Sequence, residues 1–227
     1  MPNRADTPPS EAIAIRPKHS FWIRFTHWVH FPVLMVMLLS GLEIYWANRA
    51  YTPLIPKEFY DRLGVSHQLS KGLALHLTFM WIYLFNGGVY FCYLMISGQW
   101  RDFRPDRKTF REAILVALAD LGLTKHPAVH GKFNSAQKIA YASISLMGVL
   151  AGLTGLAIYK PIQLHWLTSL FFGYESARLI HFLLAVGFVI FFGIHVGQVI
   201  RAGWNQFQAM ITGDEVVEEN QQKKLGH

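Results

Sequence analysis

The stretch Ala177–Ile200 reads ARLIHFLLAVGFVIFFGIHVGQVI, and it decides the fold. It is apolar over the roughly 20 residues that a helix needs to cross a bilayer. Within it lie two histidines, His181 and His195, fourteen residues apart. At about 1.5 Å and 100° per residue, that spacing sets them about 21 Å apart along the axis and about 40° from one shared face. Ionisable side chains are costly in hydrocarbon, and inside a span they mark function. One imidazole near each membrane surface, both on one side, is what two stacked haems require of a single helix. The plainer reading makes each histidine a hydrogen-bonding group for a neighbouring helix. Histidines in the other apolar runs weigh against it.

Three such runs lie upstream: Phe21 to Ala47, Gly72 to Ser97 and Ala136 to Tyr159. Of 227 residues, 52% are apolar, which suits membrane helices joined by short connections and not an ordinary soluble domain. The expected fold is an all-α membrane protein, a four-transmembrane-helix bundle binding two b haems. Residues 1–20 and 214–227 are expected as cytoplasmic tails, with residues 21–213 forming the bundle. The segment Met1 to Lys18, with Pro2, Pro8, Pro9 and Pro17, reads as a disordered or surface-lying tail. It is not expected to be a signal peptide, because the run that follows is too long and lacks a small-residue cleavage site.

The runs carry few polar residues. The first holds Arg24, His27 and His30, with Pro32 expected to bend it near Trp28 and Gly41 leaving room for a close neighbour. His76 stands near the start of the second, and Gly87-Gly88 suggests a close-packed neighbour or a macrocycle face. The third has no histidine, but Gly148, Gly152 and Gly155 form a small-residue face for tight packing. Between the runs, 48–71 is polar with a short surface helix, Arg111 to Gly122 is a short amphipathic helix in the interface, and Leu164 to Gly173 is a partly apolar loop. The lone cysteine, Cys92, excludes an internal disulfide and a cysteine-ligated iron–sulfur cluster. With no C-x-x-C-H, any haem is held non-covalently.

The net charge of +7 does not indicate nucleic acid, because the basic residues sit between or beside the apolar runs. Their distribution orients the bundle. Arg4, Arg16 and Lys18 precede the first run. The second connection holds Arg101, Arg104, Arg107, Lys108, Arg111, Lys125, Lys132 and Lys138. The first connection has Arg49, Lys57, Arg62 and Lys71, and the third Lys160 and Arg178. Both termini are therefore expected in the cytoplasm, with lipid of a bacterial inner membrane around the bundle.

Orientation turns the histidines into a depth map. His27 and His30 lie near the cytoplasmic face, His76 near the opposite face. His181 then shares a depth with His76, and His195 with His27. Two bis-histidine pairs result, one per leaflet, and facing helices of a four-helix core supply such sites. His30 is the rival to His27 and would otherwise serve a propionate or a quinone. Arg24, one turn before His27, favours His27 because it can pair with a propionate. His67 is the rival to His76 but lies in the polar connection. His126, His130, His165 and His227 read as ordinary surface residues.

The chain resembles the membrane-anchored di-haem cytochromes b of the formate dehydrogenase gamma-subunit and nickel–iron hydrogenase type. It looks closest to the branch accompanying periplasmic molybdopterin oxidoreductases, thiosulfate-reductase-like systems included. The resemblance rests on R-F-T-H-W at Arg24 to Trp28, L-H-L-T-F-M-W at Leu75 to Trp81 and G-K-F-N-S-A-Q-K at Gly131 to Lys138. It rests also on the His181/His195 spacing and on A-M-I-T-G at Ala209 to Gly213. It implies axial ligands at His27, His76, His181 and His195, and a quinone pocket lined by Asn134 and Gln137. The plain alternative for that motif is a helix start with Asn134 as N-cap.

The function expected is electron transfer between a periplasmic oxidoreductase and the quinone pool, ubiquinone or menaquinone. A stand-alone di-haem quinone-reducing enzyme such as a superoxide oxidase is the first rival. A non-redox membrane anchor is the second.

Overall fold

The structure, a computed structural model, describes residues 13–47, 58, 62, 69–120, 122–125 and 133–218. Among them run β1 (Ile13–Pro17), α1 (Phe21–Ala47), α2 (Leu69–Ser97), α3 (Arg107–Asp120) and α4 (Ser135–Tyr159). They are followed by α5 (His165–Leu170), α6 (Tyr174–Ala202), α7 (Trp204–Thr212) and β2 (Asp214–Glu218). Helices α1, α2, α4 and α6 are each long and apolar enough to cross a membrane. They fall where the apolar runs predict, with α2 starting earlier at Leu69 and α6 extending past both expected ends. Pro32 sits inside α1 without ending it. Large apolar side chains face outward along the spans, among them Phe85 at 76% exposed and Ile96 at 88%. Such surface is costly against water and matches lipid, which has no polar group to offer a side chain. The chain divides into two compact units, Thr26–Phe192 and Met1–Phe25 with Gly193–His227.

In the Thr26–Phe192 unit, small residues let the spans approach. A Cβ at Gly152 would meet Leu84 Cδ2 at 2.9 Å, and one at Gly148 would meet the Tyr83 hydroxyl at 3.4 Å. The small-residue face of the third span is thus a packing face, as its glycines predict. Gly87 and Gly88 differ, since a Cβ at either would meet nothing within 4 Å. No close-packed protein neighbour accounts for them among the described residues.

Helix α3 begins earlier than the apolar pattern indicates because Asp106 caps it. Asp106 Oδ1 accepts from the Thr109 amide and hydroxyl, each at 2.7 Å, and these bonds hold its carboxyl below the usual carboxylate range. Val116 and Ala119 are buried while Phe110 and Ile114 are exposed, so α3 is two-faced. It is joined to α4 where the Ser135 hydroxyl donates to Glu112 at 2.7 Å. The expected loop at 164–173 contains α5 instead. The Thr168 hydroxyl donates to Ala157 O at 3.2 Å, and Leu167 and Phe171 are buried against Ala157 and Ala177. A six-residue helix is too short to show a period in sequence. Phe172 (φ 62°) and Gly173 (φ 101°) then reverse the chain into α6.

The other unit departs most from expectation. Where polar tails are expected, β1 pairs with β2 as an antiparallel ribbon, Ile13 opposite Glu218 and Pro17 opposite Asp214. Lys18 donates to both Gln206 and Glu215. Gly213 takes a left-handed conformation (φ 100°) that a side chain would strain. Its carbonyl accepts from the Lys18 and His19 amides, at 2.8 and 3.1 Å.

Candidate functional site

The site starts from two hydroxyls. Serine or threonine within a helix can donate back to the carbonyl four residues earlier. Ser40 does so to Val36 O at 2.6 Å, and Thr154 to Leu150 O at 2.7 Å. Each hydroxyl has a single hydrogen, now spent, so each can only accept from a third group. The third group is an imidazole in both cases: His76 Nδ1 lies 3.0 Å from Ser40 Oγ, and His181 Nδ1 lies 2.9 Å from Thr154 Oγ1. Both rings therefore carry their hydrogen on Nδ1 and keep the Nε2 lone pair. Metal-bound histidines have this arrangement, with the non-ligating nitrogen donating to a fixed partner.

The two rings stand together, with centroids 6.2 Å apart and planes at 78°. An imidazole nitrogen binds a metal at about 2 Å and lies about 1.1 Å from its own ring centre, so two axial rings on one iron are about 6 Å apart. The donor set and its spacing fit a bis-histidine haem. Glycines give the rings room, since a Cβ at Gly41 would come within 3.3 Å of His76 Cε1, and one at Gly155 within 3.3 Å of His181 Cε1.

His30 is built differently. Asn86, buried, donates through Nδ2 to Thr26 O at 2.9 Å, and the same nitrogen lies 3.0 Å from His30 Nδ1. The carbonyl fixes Nδ2 as the amide nitrogen, so His30 Nδ1 accepts and the ring hydrogen sits on Nε2. Such a ring is a hydrogen-bond donor and has no nitrogen left for iron. The Tyr83 ring lies against it at 4.6 Å. His27, in α1, and His195, in α6, are both half-buried.

Arg24 donates through Nη1 to Ile211 O, and its guanidinium packs where a Cβ at Gly213 would stand, 3.1 Å from Cζ. The R-F-T-H-W and A-M-I-T-G motifs thus meet through this arginine. Its Nε is buried without a partner among the described residues, so one donor remains for an anionic group. Asn134 and Gln137 form a capping box: Asn134 Oδ1 accepts from Gln137 N at 2.8 Å, and Gln137 Oε1 from Asn134 N at 3.0 Å. The helix-start reading holds, and it leaves both side-chain nitrogens as donors. His67, Lys132, His126, His130 and His227 lie outside the described residues.

Sequence reading does not reach Ser40, Thr154, Asn86 or Glu43. Glu43 is 1% exposed and wedged against Gly72, with neither carboxylate oxygen partnered among the described residues. Signals for three of them are present in the chain. Glu43 is the one acid of its apolar run, and the dipeptides Ser40-Gly41 and Thr154-Gly155 repeat one hydroxyl–glycine pattern in two spans.

Four spanning helices and a histidine pair spaced for one iron define a multi-pass membrane haem protein. The chain belongs to the prokaryotic cytochrome b561 family, whose model matches residues 18–213. It is a membrane cytochrome b that binds haem b and transfers electrons. It is also similar to a protein named putative protein-methionine-sulfoxide reductase subunit YedZ1, from Azospira oryzae. The two are 32% identical over 184 residues, 80% of this chain and 89% of the relative.

Proposed function

We propose that this chain passes electrons between a periplasmic oxidoreductase subunit and the membrane quinone pool, through two bis-histidine b haems. The observation that carries the reading is the His76/His181 pair, 6.2 Å between ring centres with both Nδ1 atoms engaged. Haem at such a site supplies a one-electron centre that needs no proton or bond change at its ligands. His27 and His195 are the second pair, at the depth of the cytoplasmic surface. Arg24 Nε is a donor for a propionate there. His30, as an Nε2–H donor, is the second group to test for a propionate or quinone. The relative is named as a subunit of a sulfoxide reductase, which supports a catalytic partner for this chain too. We assign that partner to the molybdopterin class, on the resemblance of the motifs.

Quinone, ubiquinone or menaquinone, is placed at the start of α4. The amide nitrogens of Asn134 and Gln137 would donate to its carbonyl oxygens, and such bonds strengthen as negative charge builds on reduction. Neutral donors do this without burying a charge. The capping box decides the best variant. Leucine at both positions would also remove the cap, worth about 0.5–2 kcal/mol. Asn134→Asp with Gln137→Glu keeps the oxygens that cap, removes the amide donors and adds two negative charges that oppose the anion formed on quinone reduction. Stopped-flow reduction of the haems by a quinol analogue should slow at least tenfold in that variant, with both haem spectra unchanged. An unchanged rate would move the search to His30.

Orientation is tested separately, in a Cys92→Ser background. A cysteine at Lys108, on α3, should resist a membrane-impermeant thiol reagent in intact cells. One at Ile162, 84% exposed between α4 and α5, should react. The reverse pattern would place the quinone site outside and invert the proposed orientation of the bundle.

A further inference from the structure

We infer that Ser40 and Thr154 are matched positioning residues that fix the ring planes of the two axial histidines of a single haem. The inference rests on reading His76 and His181 as that axial pair. The same device is built twice, on different helices. On α1, Ser40 back-bonds to Val36 O and receives the Nδ1–H of His76; on α4, Thr154 back-bonds to Leu150 O and receives that of His181. The next residue is glycine in each case, and its missing Cβ would stand 3.3 Å from the Cε1 of the same ring. Each ring is held at two points, by a hydrogen bond at Nδ1 and by a backbone surface at the adjacent carbon. One contact alone leaves an imidazole free to turn about its Cβ–Cγ bond, and two define a plane.

The planes so defined stand 78° apart. Ring orientation matters electronically because each imidazole π orbital overlaps mainly with one of two equivalent iron d orbitals. Nearly perpendicular rings act on one each and keep the two close in energy, which gives a strongly anisotropic low-spin ferric EPR signal. Parallel rings act on the same orbital and reduce the anisotropy. The hydroxyls also hold each Nδ1–H in a bond, which makes the imidazole more basic and favours ferric iron. Ser40 is 2% exposed and Thr154 0%, so bulk solvent does not reach either hydroxyl.

The test uses the intact, haem-loaded chain in detergent or nanodiscs. Thr154→Val and Ser40→Ala should each keep the full haem content. Each should lower the anisotropy of one haem's EPR signal and raise that haem's midpoint potential, leaving the other haem as an internal control. Thr154→Ser and Ser40→Thr, which retain the hydroxyl, should restore both properties. Unchanged EPR and potential in Thr154→Val would reduce the hydroxyls to helix-internal bonds and end the proposal. If Thr154→Val fails to accumulate, Ser40→Ala gives the same two readouts at the mirrored position. Failure of the underlying ligand reading looks different: His76→Ala and His181→Ala would then leave both low-spin signals in place.

Discussion

Purified His181→Ala protein should hold one b haem per chain where the parent holds two, with the b-band absorbance of the reduced form halved. His76→Ala should lose the same haem, because the proposed axial pair puts its ring, on α2, 6.2 Å from that of His181 on α6. His195→Ala should lose the other. His30→Ala should keep both, since its Nδ1 is occupied by Asn86 and its Nε2 carries the hydrogen. Pyridine haemochrome quantification against amino-acid analysis reads all four variants. One haem in the parent would sink the two-pair scheme at once. Two haems in His181→Ala would remove this pair, and the two-pair scheme would fall with it.

The second large effect is expected at a residue that carries no chemistry. A Cβ at Gly155 would stand 3.3 Å from His181 Cε1, already closer than ordinary contact, and a leucine adds three more carbons beyond it. The ring would be pushed off the Thr154 hydroxyl, and overpacking of this kind costs about 1–3 kcal/mol. Gly155→Leu should therefore lose the same haem as His181→Ala although every ligand is present. Gly41→Leu should do so through His76. Gly197→Ala, where an added carbon meets nothing within 4 Å, should retain both haems. Retention of both haems in Gly155→Leu would mean that the ring has another position from which to bind.

These two predictions differ in how far they are legible in the sequence. His181 and His195 declare themselves, because a span this apolar tolerates an ionisable group only where that group has a task. The four spans declare themselves for a related reason, being long runs with a single dominant property. Gly155 is visible only as part of a small-residue face, and nothing local separates its contact with a histidine from that of Gly152 with Leu84. Ser40 and Thr154 are less visible still. Their partners depend on the rotation of one helix against another, which no single run encodes. Asn86 likewise means little until its carbonyl acceptor at Thr26 is known. Asn134 and Gln137 lie at the other extreme, since the capping box is written within one short run of the chain. The pairing of β1 with β2 has no local signature at all: neither strand is apolar enough to stand out, and no turn joins them.

That pairing has a consequence for the order in which the molecule is made. Lys18 and Glu215 are 197 residues apart, so the bond between them cannot form until all four spans have left the ribosome. The earlier strand must wait, unpaired, while every span is inserted. Loop-closure cost rises only slowly with length, so the delay carries little thermodynamic penalty. It makes the clasp a late event, and one that can close only if the two strands emerge on the same side of the bilayer. A chain that inserted an odd number of spans would leave β1 and β2 on opposite sides, with each strand edge open. A closed ribbon therefore requires both strands on one side of the bilayer, and so an even number of inserted spans between them.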